Sequence, residues 1–491
     1  MSTYRRTLRR SLTIAVLGSL VLAPAALADS RVDSIGFAGK LGQEMSLNSV
    51  WVMLAAILVM FMQAGFLMLE IGFVRGKNAG SVVAKIIVNF AICGLVWWIC
   101  GFGIAFSDGG SFMGTHGIFF GGAGSAAHIP LAFPSNPQGP SAEVLWFFQF
   151  AFAAVTLAIA WGTTLERIKF GVYVLFAIPF AAVIYPLVAH WIFGGGFLAT
   201  DFHVQDFAGS IVIDVTGAAA ALAILLLLGP RKGKYDAEGN VHAIPGHNMP
   251  LFGLGVLILW LGWFGFNPGS TLTALDGRFG DIAVITQLAG CAGVLTAVLT
   301  MWKVEGTIDI CMSGNGAIAA LVAITGPAGY IDIWAAPIIG GIAGVIVVFA
   351  VLQIDKRLDD PVGALAAHGV CGVWGALSLG LFAAPRLAEH NLPGSHGGLF
   401  YTGSLQQLGS QAIGIVVVAA FVFTVSYALF WAIKHTYGLR VTQAEEDAGL
   451  DISEHGMYGY PEQFIPQTEL FGYGGGQART VPPAPVPAPE G

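Results

Sequence analysis

Asp206-Phe-Ala-Gly-Ser-Ile-Val-Ile-Asp214 opens a long apolar run, and its pattern returns as Asp360-Pro-Val-Gly-Ala-Leu-Ala-Ala-His368, which opens another. Both copies have Asp first, Gly fourth, a small residue fifth and an ionisable residue ninth. A repeat that places ionisable groups at matched depths in two apolar segments is typical of membrane proteins built from inverted halves, whose functional site lies near the bilayer midplane. The ninth residue is Asp in one copy and His in the other.

The composition indicates an all-α, polytopic membrane protein. Hydrophobic residues make up 55% of the chain and charged residues only 10%, against about 25% charged in soluble domains. Apolar runs of about 20 residues recur, which is the length needed to cross a bilayer. The five cysteines have no metal-like spacing, and no nucleotide motif is present, so neither a metal site, a cofactor, ATP-driven pumping nor nucleic-acid binding is predicted.

Residues 1–28 have the pattern of a secretory signal peptide. Four arginines precede an apolar stretch from Leu12 to Leu22, and Ala26-Leu-Ala28 supplies small residues for cleavage. A twelfth spanning helix is the alternative, but the apolar stretch is short for one. Cleavage would place residues 29–47 outside the cytoplasm and the protein in a bacterial inner membrane.

Eleven spans are predicted, with the mature N-terminus outside and the C-terminus inside. In that orientation the cytoplasmic loops and the start of the tail carry twelve Lys and Arg residues and the opposite loops carry four, as the positive-inside rule requires. The spans lie near 48–73, 83–106, 144–164, 170–193, 208–229, 251–267, 282–302, 312–326, 334–353, 362–384 and 408–434.

Within a membrane domain over 48–434, the spans form two inverted repeats, about 48–229 and 251–384, followed by an extra helix at 408–434. Asp206 then lies near the outer mouth and Asp360 near the inner one. Asp214 and His368, each about 12 Å further along its helix, should meet near the middle. Residues 435–491 form a cytoplasmic tail with a Pro-rich end that is too polar to fold alone.

An ionisable residue inside a span suggests function because its burial is costly. That interpretation is favoured for Asp214 and His368, which the repeat brings together. Glu70 and the pair Glu166-Arg167 are interpreted instead as helix-organising ion pairs at helix ends. His190 is interpreted as a hydrogen-bonded core histidine.

Aromatic residues are concentrated in Trp146–Phe152 and in Trp260–Ser270. Such a stripe is usually core or lipid belt. Near a carboxylate at a pore mouth, it can also hold a small cation by cation–π attraction, with the Ser270 hydroxyl as an oxygen acceptor.

Together these stretches resemble the ammonium transporter (Amt/Mep/Rh) family along nearly the whole chain. The order and placement of the matching motifs are more specific than any one of them. The motifs are Gln63–Glu70, Phe73–Asn78, Phe148–Phe152, Leu165–Ile168, Asp206–Gly209, Trp263–Ser270, Asn315–Ala317, His368–Gly372, Gly438–Val441 and Gly449–Ile452.

The resemblance implies a homotrimer of eleven-helix subunits in which each subunit has its own hydrophobic pore for ammonium and ammonia. It implies cation recruitment by Phe152 and Ser270, with Asp206 holding that site together. The same resemblance implies a stacked gate of Phe152 and Phe266 beside Trp263, and a pore histidine at His368. The tail, with Gly438, Arg440, Asp451 and Gly456, would couple subunits and answer a PII-type signal protein.

Two positions depart from the family pattern. Phe193 stands where the recruitment site usually has Trp, and a phenyl ring is the weaker cation–π partner. Asp214 replaces the first of two pore histidines. A carboxylate beside His368 favours the charged pair, whereas burial favours the neutral one, and the two groups titrate as a unit. We therefore expect a pair that still relays protons, with an altered pH optimum and poorer rejection of K⁺.

Three functions remain open from the sequence. Ammonium transport is favoured. A stand-alone ammonium sensor, which binds the ion with little conduction, is the alternative that Asp214 and Phe193 support. A membrane enzyme is disfavoured, because no nucleophile–base or metal constellation lies within the spans.

Overall fold

The computed structural model describes residues 40–120 and 139–465, and these residues are almost entirely helical. The predicted signal peptide 1–28, most of the segment 29–47 and the Pro-rich end of the tail lie outside the described residues. Within the described ranges there is no β-strand, only isolated bridges such as Ile168 with Arg440. The predicted fold class, an all-α membrane protein, is confirmed.

Eleven helices, α1 to α11, form the body of the described molecule. The short helices α12 and α13 follow in the tail, before a last helical turn at Pro461–Phe464. In chain order they are Lys40–Phe73, Gly76–Phe106, Ala142–Gly162, Phe170–Thr200, Ser210–Leu228, Met249–Phe266, Arg278–Glu305, Ile310–Thr325, Ala336–Ile354, Leu365–Phe382, Gln406–Thr436, Gln443–Ala448 and Leu450–His455.

Ten of the described helices are long and apolar enough to cross a membrane. The remaining body helix, α8, is apolar but has only 16 residues, or about 24 Å. Each predicted span coincides with one of these eleven helices. The number of helices that cross the bilayer and their orientation in it stay predictions.

The helices differ in how much of their surface faces other helices. In the most apolar 18-residue stretch of α3, 89% of the residues are buried inside the molecule, and in the corresponding stretch of α5 the share is 83%. In α2 and α11 the share is only 33%. Helices α3 and α5 therefore form the centre, whereas α11 lies at the periphery, as its lack of a repeat partner predicts.

Helices α1 and α6, which open the two predicted repeats, pack directly against each other. Glycines make this close approach possible: a Cβ on Gly262 would lie 2.1 Å from a Met62 side-chain carbon, and one on Gly255 would lie 2.4 Å from the backbone nitrogen of Leu69. Small residues at such contacts let helix backbones approach where lipid offers no hydrophobic drive.

Helices α5 and α10 run antiparallel. Near the start of α5, Ser210 lies against Gly372 of α10, and further along α5, Ala218 lies against Gly369. This is the relation that inverted repeats require. We call the face where α5 ends and α10 begins the tail face, because residues 437–465 dock there, and the other face the opposite face.

Candidate functional site

The ninth residues of the two repeated stretches meet inside the bundle. The carboxylate Oδ1 of Asp214 lies 2.8 Å from Nδ1 of His368. Both side chains are buried, with 2% and 7% of their surface exposed. The other carboxylate oxygen of Asp214 has no hydrogen-bond partner among the described residues. The predicted meeting of the two side chains is therefore observed, and it leaves one buried acceptor unsatisfied.

Both residues lie on π-helical turns, Ser210–Val215 at the start of α5 and Leu365–Val370 at the start of α10. A π turn widens the helix by one residue and is frequent at functional sites. Because the two turns occupy matched positions in the repeats, they aim both ninth residues at the same point.

The first and fourth residues of the pattern build these turns. Gly209 has φ +129° and Gly363 has φ +74°, conformations that residues with a side chain rarely adopt. Asp206 accepts hydrogen bonds from the backbone amides of Gly209, Ile211 and Val212. Asp360 accepts one from the amide of Leu365 at 2.7 Å. The two aspartates thus cap the helices that carry Asp214 and His368, which we call the central pair.

A small cavity of about 10 Å³ lies on the opposite-face side of the bundle. It brings together three residues that the resemblance assigns to cation recruitment, namely Phe152, Phe193 and Ser270. The Ser270 hydroxyl donates to the carbonyl of Phe266 at 2.7 Å, which leaves its oxygen able to accept. The other lining residues are Phe148, Gln149, Phe207 and Leu272.

Gln149 is a lining residue that the sequence analysis missed. Its side-chain oxygen is buried and has no hydrogen-bond partner among the described residues. Its position could have indicated this role, because Gln149 is a polar residue inside the aromatic run Trp146–Phe152. Asp206, by contrast, does not line this cavity. It fixes the backbone beside Phe207, which does.

Aromatic side chains continue from this cavity into the bundle. The rings of Phe152 and Phe266 have centroids 4.6 Å apart and meet edge to face at 74°. The stacked pair is instead Trp263 with Phe266, at 5.6 Å and 24°. The indole of Trp263 donates to the Thr325 hydroxyl at 2.9 Å. A parallel stack of Phe152 on Phe266 is therefore not found, although the two rings are in contact.

Charged side chains at the tail face form a buried network. Glu166 accepts a hydrogen bond from Arg75 at 2.8 Å, and Arg231 donates to Asp359 at 2.8 Å. Arg167 donates to the backbone carbonyl of Asp359 at 2.7 Å. The interpretation of Glu166 and Arg167 as helix-organising ion pairs is confirmed.

Asp359 is the acidic centre of this network. Burial alone would raise the pKa of its carboxyl group. Hydrogen bonds from Arg231 and the charges of Arg167 and Arg231 outweigh burial, so the pKa is about 2. The same burial lowers the pKa of the Arg167 guanidinium to about 10. Removal of Asp359 would leave the buried Arg167 without its carboxylate partner and Arg231 with only Glu166, at 3.7 Å.

Glu70 also forms an ion pair, and its partner is Lys85. Both side chains are 1% exposed. Lys85 lies within the second predicted span and was missed, although a lone lysine in an apolar run was the available signal.

His190 is a core histidine as interpreted, with its ring nitrogens 3.0 Å and 2.9 Å from the carbonyl oxygens of Ala105 and Gly110.

The four predicted tail residues lie where the tail docks on the same chain, at the start of α2 and at the loop after α5. Arg440 donates to the carbonyl of Pro230 and to Glu446, both at 2.6 Å. Asp451 accepts from the amides of Gly80 and Ser81. Gly438 and Gly456 have φ of +82° and +73° and end α11 and α13.

Comparisons with known proteins agree with this architecture. A family model described as Ammonium Transporter Family matches residues 50–460. Ammonium transporter Amt2 of Archaeoglobus fulgidus is 41% identical over 479 residues, which cover 93% of this chain and 97% of that protein.

Solved structures give the same result. A sensor Amt protein aligns with a TM-score of 0.76 and 32% identity over 84% of this chain and 99% of that one. Mep2 of Candida albicans aligns with a TM-score of 0.73 and 30% identity over 83% and 89%.

Proposed function

This chain belongs to the ammonium transporter family, and from that premise we propose that it moves ammonium across the cytoplasmic membrane through a pore within each subunit. Family membership implies ammonium as substrate and a multi-pass membrane setting. The observation that carries the proposal is the buried contact between Asp214 and His368 on two matched π turns.

Recruitment takes place at the opposite face, in the cavity lined by Phe152, Phe193 and Ser270. Ring faces attract a small cation, and the oxygens of Ser270 and Gln149 accept its N–H donors. An ammonium ion that has lost its water molecules donates hydrogen bonds to these acceptors, and these bonds replace the ones that it made to water. The Phe152–Phe266 contact below the cavity closes it to water, so Phe266 and Trp263 act as the gate and the pore wall.

The proton and the nitrogen then separate. Ammonium loses a proton on entry, and ammonia crosses the apolar segment, because a neutral molecule pays a far smaller desolvation cost there than an ion. The pair of Asp214 and His368 takes up the proton and passes it on, so that net charge crosses. The unsatisfied carboxylate oxygen of Asp214 is the acceptor with which this relay begins.

The remaining parts of the proposal concern the assembly. The subunits form a homotrimer in the inner membrane after removal of the signal peptide 1–28, with the N-terminus outside and the tail face cytoplasmic. The tail from Gly438 to Gly456 is the regulatory element, and it presents the docking surface for a PII-type signal protein. Its hydrogen bonds to the start of α2 and to the loop after α5 support a role in reporting the state of the pore.

Ammonium pulses on proteoliposomes adsorbed to a solid-supported membrane test the main proposal. A transporter gives a current whose decay becomes faster as more protein copies are placed in each vesicle, because the vesicles fill sooner. A brief signal with a decay independent of protein density reports binding alone, and it would contradict transport.

Substitutions at Asp214 test the relay. We expect Asp214→Asn to lower the ammonium current at least about tenfold, because an amide does not take up a proton. Asp214→His should keep the current while changing its pH dependence and strengthening K⁺ exclusion. The exposed carboxylate Asp201 gives the control, since Asp201→Asn should change neither. An unaltered current in Asp214→Asn would exclude the relay.

A stand-alone ammonium sensor is the second candidate. One observation favours it, namely the alignment with a solved structure that is described as a sensor Amt protein. A fixed carboxylate at Asp214 is suited to trapping a cation. The decay of the current distinguishes the two functions.

A further inference from the structure

A second cavity, of about 30 Å³, lies between the central pair and the tail face. Its polar lining side chains are His368, Asn315 and Glu70, and most of the others are apolar, among them Phe66 and Leu259. A cavity of about 10 to 15 Å³ already holds a water molecule if polar partners are present. This one has room for about two, and it joins the central histidine to a carboxylate.

Glu70 has an unsatisfied oxygen at this cavity. One carboxylate oxygen pairs with Lys85, and the other, Oε1, is buried and has no hydrogen-bond partner among the described residues. A buried polar atom without a partner is costly. Because Glu70 lines the cavity, water or a cation inside it is the group that can satisfy this oxygen.

Lys85 allows Glu70 to be a carboxylate in an apolar setting. Its ammonium group compensates the carboxylate charge and also lies 5.9 Å from the centre of the Tyr173 ring. The Tyr173 hydroxyl lies 3.3 Å from the Thr164 hydroxyl, at the tail-face end of α3. Polar groups therefore continue from Glu70 toward the tail face.

We propose that Glu70 is the proton acceptor of the inner half of the pore. His368, protonated when the central pair takes up the proton from ammonium, loses this proton through water in the cavity. The Glu70 carboxylate gains it and becomes a carboxylic acid, while Lys85 keeps its charge. Glu70 then returns the proton to ammonia or to water on the tail face and is a carboxylate again. This inference rests on the proposed relay and adds its exit.

If the ion pair of Glu70 with Lys85 has only a structural role, a different result is expected. Two variants distinguish this structural role from proton transfer. Glu70→Gln removes the acceptor but leaves Lys85 buried without its partner. The double variant Glu70→Gln with Lys85→Met removes both charges at similar volume, a replacement that folded proteins often tolerate. If Glu70 only neutralises Lys85, the double variant regains the current. If Glu70 carries the proton, it does not.

The measurement is the ammonium current in proteoliposomes, with the thermal unfolding midpoint of each variant as a check on folding. We expect at least a tenfold loss of current in both variants, with an unchanged midpoint in the double variant, and partial recovery in Glu70→Asp. Glu305→Gln, an exposed glutamate at the end of α7, should match the wild type. Wild-type current in the folded double variant would overturn the inference.

Infrared difference spectra, recorded when ammonium is added to the wild type, give a second test that does not depend on whether the variants fold. We expect a protonated-carboxyl band that is lost in the double variant, and a wild type without any such band would also overturn the inference. If the wild type carries no current at all, the proposed transport fails first, and the exit role of Glu70 fails with it.

Discussion

At the scale of single residues, the proposed recruitment of a cation depends on the ring of Phe193. It lines this cavity beside Phe152 and Ser270. An indole in its place adds about 0.5 to 1 kcal/mol of cation–π attraction, which corresponds to about a twofold to fivefold tighter site.

We therefore expect Phe193→Trp to lower the half-saturating ammonium concentration about twofold to fivefold, as measured from currents over a concentration series. Phe202→Trp is the matched control, because Phe202 is exposed and does not line the cavity. Equal half-saturating concentrations in wild type and Phe193→Trp would show that this ring does not contact the cation.

The sequence was informative about some of these residues and not about others. The spacing of the repeat predicted the contact of Asp214 with His368, because matched positions in inverted helices converge. Gln149 and Lys85 were missed, since each is one polar residue inside an apolar run. Whether such a residue faces a cavity, a partner or lipid depends on helix rotation, which the apolar pattern of a fully buried helix does not reveal.

At the scale of secondary structure, Gly209 makes the first π turn possible. A Cβ at this position would lie 2.5 Å from the end of the Ile213 side chain, and its φ of +129° is strained for any side chain. Such backbone strain costs about 1 to 3 kcal/mol.

Gly209→Ala should therefore lower the thermal unfolding midpoint and reduce the ammonium current, because Asp214 follows on the same turn. Gly253→Ala, in α6 with open space around the added carbon, should leave both unchanged. Equal midpoints for the two variants would show that the turn tolerates a side chain.

The loop between α9 and α10 makes stability depend on acid through Asp359. The pKa of its carboxyl group is about 2, below its ordinary 3.8. A lowered folded-state pKa gives stability that is complete above the unfolded pKa and is lost as the pH falls through the folded one. The stabilisation is about 2 kcal/mol.

We expect Asp359→Asn to unfold at a lower temperature than the wild type at pH 6, and the difference to shrink between about pH 4 and pH 2. Melting curves in detergent over this range give the comparison. Glu238→Gln, in an exposed loop, should follow the wild type throughout. A difference that stays constant with pH would mean that Asp359 is not the titrating group.

The helices themselves were largely predictable and the π turns were not. An apolar run that is long enough to cross a membrane almost always forms a helix, because lipid offers no hydrogen-bond partners to the backbone and a helix satisfies these groups internally. A π turn shifts the register by one residue, and a run such as Ser210–Val215 has no polar face on which this shift could be seen.

At the scale of the whole molecule, the tail connects distant parts of the chain. Asp451 caps the start of α2 by accepting from the amides of Gly80 and Ser81, and it also accepts from the amide of Gly459. Its side chain thus connects the tail to α2.

Asp451→Ala should raise amide hydrogen exchange at Gly80 and Ser81, since their acceptor is lost, while the interior of α3 keeps its protection. Asp447→Ala is the control, because the Asp447 side chain forms an exposed ion pair with Lys232, whereas its contact with Lys77 is made by the backbone carbonyl, which the substitution keeps. Unchanged exchange at Gly80 and Ser81 would show that other contacts hold the tail in place.

The antiparallel arrangement of α5 and α10 has an electrical consequence. Each helix carries a macrodipole, equivalent to about half a positive charge at its N-terminus, and the two N-termini point to opposite faces of the molecule. At the contact of Asp214 and His368, close to the start of both helices, the axial fields of the two dipoles oppose each other. In the proposed pore, these two helices would therefore contribute little rectification at the central pair, and inward and outward currents of ammonium would be similar under equal and opposite driving forces.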